Sequence, residues 1–108
     1  SAIPLLKEAL QGDGDIRMRL YAAWTLGRLG DRSGLPSAEQ VLKSADQHLR
    51  ANAAWTLGEI GGEEAMSLLK VALRDEAPTV KMHAIWALDR IVRPRGKTPT
   101  SSGVSKLS

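Results

Sequence analysis

Three tryptophans, Trp24, Trp55 and Trp86, stand 31 residues apart, and the segments around them match. Residues 22–29 read AAWTLGRL, residues 53–60 AAWTLGEI and residues 84–91 AIWALDRI. The match continues upstream, where Met18-Arg19, Leu49-Arg50 and Val80-Lys81 form a row of apolar-then-cationic pairs. A weaker similarity joins LLKEAL at 5–10 to LLKVAL at 68–73, so each unit holds two segments. A fixed period of this length restricts the architecture severely. Each unit is too small to bury its own apolar face and must stack on its neighbours to complete a core.

Both segments of a unit read as helices. In the stronger one, apolar residues fall at 18, 22, 26 and 29, at 49, 53, 57 and 60, and at 80, 84, 88 and 91. This i, i+4, i+8, i+11 spacing is one helical face. Gly12-Asp13-Gly14-Asp15 and Ser44-Ala45-Asp46 supply turn and N-cap chemistry ahead of the stronger helix, and Pro78 suits a first helical turn. Gly30 and Gly61 are C-cap residues, and Pro94 is expected to end the third strong helix. The expected fold is all-α, with six helices in three antiparallel pairs over residues 1–30, 31–61 and 62–92.

Tetratricopeptide and ankyrin repeats carry other signatures, and neither fits. The pattern here is an apolar residue, Arg, then Ala-Ala-x-x-Leu-Gly-x-Leu/Ile-Gly. It resembles the short HEAT-like repeats of the phycobilisome-lyase type over residues 2–92. That resemblance implies a right-handed α-solenoid whose second helices line the concave side. It also implies a choice of roles, since such proteins include chromophore lyase subunits, scaffolds and chaperone-like factors. Three departures stand out: Asp89 and Val92 replace both glycines of the third copy, and Pro36 falls in the first helix of the second. The change at residues 89–92 suggests a terminal unit or a chain cut from a longer array.

At about 100° per residue, Trp24 lies nearly opposite the stripe of Met18, Ala22, Leu26 and Leu29. Arg17, Leu20, Tyr21 and Arg28 flank it, and their counterparts include Met82, Glu59 and Arg90. Stacking turns these positions into parallel rows. The candidate partner-binding residues are therefore Trp24, Trp55, Trp86, Leu20, Tyr21, Met82, Arg28, Glu59 and Arg90. Large rings in an open row suit a groove for a peptide or protein, because Trp buries much area at little rotamer cost. Two further readings remain open: the rings pack between repeats, or a second copy covers them in a homodimer. The Arg28, Glu59, Arg90 row either pairs within itself or meets a partner. The Arg19, Arg50, Lys81 row is expected to lay its stems on neighbouring helices and pair with loop acids such as Asp15, Asp46 or Asp75.

No catalytic constellation emerges, and no cofactor or metal is expected. His48 and His83 lie in different units and rows, which gives no ligand spacing and leaves each a surface histidine. Glu63-Glu64 suits the first turn of a helix, and Gly12–Asp15 lacks the pattern of a calcium or phosphate loop. The absence of cysteine excludes a thiolate centre. No apolar run approaches the roughly 20 residues of a membrane span, which points to a cytoplasmic protein.

The net charge is +3, yet residues 1–92 carry 11 Lys plus Arg against 12 Asp plus Glu. The excess sits in residues 93–108, which are rich in Pro, Gly, Ser and Thr and are expected to form a disordered basic tail. Thr98-Pro99 within it reads as a phosphorylation site or as linker. The near-neutral repeat domain disfavours nucleic acid, in which Trp would stack on bases while Arg17, Arg28 and Arg90 met phosphate. A second alternative, implied by the resemblance, is a planar chromophore cradled against the tryptophans.

Overall fold

The computed structural model describes residues 2–11 and 15–93, and these hold six helices and no strand. In chain order they are α1 (Ile3–Gln11), α2 (Ile16–Arg28), α3 (Leu35–Val41), α4 (Gln47–Ile60), α5 (Gly62–Ala72) and α6 (Pro78–Val92). Helices α1, α3 and α5 pack on α2, α4 and α6 respectively, and α4 lies between α2 and α6. The stop expected at Pro94 and nearly all of the expected tail lie outside the described residues.

Local chemistry sets the helix ends. The Asp15 carboxylate accepts the Arg17 N–H at 2.9 Å, and Asp46 accepts the His48 N–H at 2.8 Å. Such caps satisfy one of the free N–H groups of a helix and contribute about 1 kcal/mol each. Gly30 follows α2 with φ +84°. Its N–H donates to the Gly27 carbonyl at 3.0 Å while the Asp31 N–H donates to Leu26 at 2.8 Å, the paired bonds of a left-handed helix stop. Pro36 explains the short α3. It lies in the first turn, where a missing N–H is harmless, so the helix starts only at Leu35.

The apolar stripe forms the core at Ala22, Leu26, Ala53, Leu57, Ile60, Val80 and Ala84, with Leu49, Leu88 and Ile91 packed partly buried beside it. Met18 and Leu29 depart from the expectation and are exposed. The reason is positional. The Leu29 counterpart Ile60 sits under α2, where its backbone lies 3.0 Å from a Cβ placed on Gly27, whereas no described helix lies over Leu29.

A second buried row was not legible in the stripe. Ala51, Ala54 and Ala87 are buried between successive strong helices, and Ala23 is buried against Gly34 at the start of α3. Between the strong helices the approach is closest at Gly58, where an added Cβ would lie 2.7 Å from Ala87 Cβ and 2.8 Å from its Cα. Backbones so near one another leave room for no side chain, which is why Gly stands at 58. The third copy carries Asp89 there, exposed and paired with Arg93 at 3.0 Å.

An ion pair between α4 and the turn into α6 ties the second unit to the third. Arg50 of α4 donates from Nε and Nη2 to the two oxygens of Asp75 at 2.8 and 3.1 Å, and from Nη1 to the carbonyls of Ser44 and Ala45. Asp75 also accepts the Ala77 N–H at 2.9 Å, closing the turn into α6. The Arg50 guanidinium beside it holds the Asp75 carboxyl below the ordinary carboxylate range, against the opposing effect of burial. Among the described residues, Arg19 and Lys81 form no ion pair, so the expected pairing holds at Arg50 alone.

Two outcomes follow from this packing. Gly58→Ala lowers unfolding free energy by about 1–3 kcal/mol in chemical denaturation, although alanine is the better helix former by about 1 kcal/mol. Asp75→Asn destabilises the protein at neutral pH. Because the folded-state pKa is depressed, the contribution of Asp75 is fully present above the unfolded value near 3.8 and is lost as pH falls through the folded value. Urea midpoints of wild type and variant therefore converge as pH falls through the folded-state value of Asp75.

Candidate functional site

Helix α2 presents Arg17, Tyr21, Trp24 and Arg28 at i, i+4, i+7 and i+11, a single stripe with a cation at each end. Eleven residues of helix place those cations roughly 16 Å apart. The facing side of α4 carries Asn52, Trp55, Thr56 and Glu59. Between the two helices lies a groove of about 330 Å³, lined by Arg17, Leu20, Tyr21, Trp24, Asn52, Trp55 and Thr56. A second cleft of about 320 Å³ follows at the C-terminal ends of the strong helices, where Arg28, Glu59 and Arg90 meet the glycines at 27, 58, 61 and 62.

The tryptophan row is broken into two ring groups. Tyr21 stacks on Trp24 with centroids 6.0 Å apart and an interplanar angle of 21°. Trp55 meets Trp86 edge-on at 6.5 Å, and His83 completes the second group at 5.3 Å from Trp86 and 6.5 Å from Trp55. Offset and edge-to-face arrangements of this kind suit the charge distribution of aromatic rings. Both packing between repeats and exposure are realised. Trp24 and Trp55 are half-buried, while Trp86 is 48% and Tyr21 67% exposed.

Leu20 requires a correction. It was expected on the open face but is only 5% exposed, because it turns toward α4 and joins the core formed with Ala51 and Ala54. It forms the floor of the groove and not its rim. Met82, its counterpart in α6, is 47% exposed because no described helix follows.

The charge row pairs within itself at one junction. Arg90 Nη2 lies 2.7 Å from Glu59 Oε2, and the Arg90 guanidinium sits over the Trp55 ring at 5.5 Å. Arg28 covers Trp24 at 5.1 Å and has no acid partner among the described residues. Glu59 is thus neutralised, and among the described residues the cations without an acid partner on this face are Arg17 in the groove and Arg28 in the adjoining cleft.

His83 is not the surface histidine expected from sequence. Its Nδ1 lies 2.7 Å from the Thr79 carbonyl oxygen, and its ring is wedged against two tryptophans. His48 is exposed at the start of α4. Thr56, absent from the residues expected on this face, lines the groove and is buried, its hydroxyl donating to the Asn52 carbonyl. Thr25 and Thr56 follow their tryptophans directly, which is the one signal that pointed to them.

A double-mutant cycle on Glu59→Gln and Arg90→Gln, read by denaturation, is expected to give a coupling energy of about 1 kcal/mol. In single-tryptophan variants, acrylamide quenches Trp86 more strongly than Trp24 or Trp55.

A comparison with curated protein sequences returns no match at the threshold used. The family model described as HEAT repeats matches residues 3–89, a span that runs from the first residue of α1 into the last turns of α6. With an all-helical chain whose strong helices stack side by side on one another, this match places the protein in the HEAT-repeat family.

Proposed function

We propose that this chain is a non-enzymatic interaction module that holds an extended protein segment in the groove between α2 and α4. HEAT repeats generally mediate protein–protein interaction. The observation that carries the reading is the groove itself, with an apolar floor at Leu20, walls of Tyr21, Trp24 and Trp55 and the unpaired Arg17 at one end, continued beyond Trp24 by the unpaired Arg28 of the adjoining cleft. A large apolar side chain of the partner would fill the space between the rings, and flanking acidic residues would meet Arg17 and Arg28. The units 1–30, 31–61 and 62–92 then act as 31-residue turns of a right-handed solenoid, with the strong helices forming the receiving side.

Selection of peptides from a random dodecapeptide library on the intact chain tests this reading. Recovered peptides shift tryptophan emission, and Trp55→Ala weakens them by about thirtyfold, the loss of a hot-spot ring worth about 2 kcal/mol. Peptides whose binding is indifferent to Tyr21→Ala and Trp55→Ala would place the interaction elsewhere and overturn the reading.

A second reading has its own support at the α6 end. Met82, Ile85 and Trp86 are 47%, 56% and 48% exposed and form an apolar patch that a second copy could cover. Light scattering would show a dimer that Ile85→Glu returns to monomer.

A further inference from the structure

Arg19 and Arg50 occupy the same place in successive units, yet only Arg50 has its anion. Thirty-one residues before Asp75 stands Ser44, whose hydroxyl accepts the Asp46 N–H at 3.1 Å just as Asp75 accepts that of Ala77. The turn is preserved and the carboxylate is missing. Arg19 Nε is consequently buried without a hydrogen-bond partner. A buried donor left unpaired costs more than an ordinary hydrogen bond contributes, and a charged one more still.

The surroundings have changed in step. A cleft of about 220 Å³ opens beside Arg19, lined by Ser37, Gln40, Val41, Lys43 and Ser44. At the other junction the positions of Ser37 and Gln40 are held by Leu68 and Val71. Polar side chains thus stand where the other junction has apolar ones, and Lys43, like Arg74 at that junction, places a second cation at the cleft, whose remaining wall is Ile16 and Val41. No ion pair among the described residues includes Arg19 or Lys43.

We infer that this cleft binds an oxyanion, a carboxylate or phosphate, whose two oxygens take Nε and Nη2 of Arg19 as the Asp75 carboxylate takes those of Arg50. Arginine presents these donors as a planar fork that matches such a group. Lys43 neutralises a second negative charge, and the hydroxyls of Ser37 and Ser44 with the Gln40 amide supply donors for remaining oxygens. The site shares no residue with the α2–α4 groove and is independent of the function proposed for it.

Thermal unfolding of the full chain in acetate, succinate or inorganic phosphate, each against chloride at equal ionic strength, provides the test. An oxyanion that binds only the folded state raises the midpoint by several degrees in a saturable manner, and moves the Arg19 Nε–H resonance. A response to acetate and succinate assigns the site to carboxylates, and a response to phosphate assigns it to phosphate. Arg19→Gln weakens binding tenfold or more. Ser44→Asp is decisive because it supplies the carboxylate internally: the variant is more stable than wild type without added anion and no longer responds to one. Absence of a saturable response in wild type, or an equal response in Ser44→Asp, overturns the inference.

Discussion

The close approach of the strong helices governs the rest of the structure. Alanine at 51, 54 and 87 and glycine at 27 and 58 let one helix backbone lie directly on the next. Larger residues would hold the helices apart by the width of a side chain and forfeit the dispersion contacts of a close-packed interior. Because α4 is packed from both sides in this way, its apolar, alanine and threonine faces are all buried. It has little free surface beyond its stripe of His48, Asn52, Trp55 and Glu59.

That restriction explains the character of the candidate site. Tryptophan is too large for the contact line between helices and is displaced to its edge. There each ring has one side against protein and another toward the groove or solvent. Arginine stems then complete the cover, with Arg28 on Trp24 and Arg90 on Trp55. The attraction of a cation to a ring face is modest, but it fixes where the charges stand. Pairing of Arg90 with Glu59 neutralises the acid of the cleft beside the groove, and the face that remains is aromatic and positive although the repeat domain as a whole is nearly neutral.

Repetition also makes departures informative. Where two units carry the same side chain in the same setting, the contact of one shows what the other is built to make. The Arg50–Asp75 fork gives that standard for Arg19, and Gly58 against Ala87 gives it for Asp89. At residue 89 a carboxylate stands where a neighbouring backbone would have to come within a Cβ contact.

The sequence by itself determined the helices, their order and most of their ends. Caps, positive-φ glycines and apolar spacing act within a few residues and need no distant partner, so Asp15, Asp46, Gly30 and Gly61 were legible from local chemistry. The core was legible only in part. A helical stripe records which side is apolar and not how much of the helix a neighbour covers, so Leu20 passed for a rim residue and Met18 and Leu29 for core. Which rings of different helices meet, which arginines find an acid in another unit and where the clefts open depend on distances between residues far apart in the chain, as in the Arg50–Asp75 pair. Only the stacked helices fix those distances, through the alanine and glycine contacts that bring α2, α4 and α6 together.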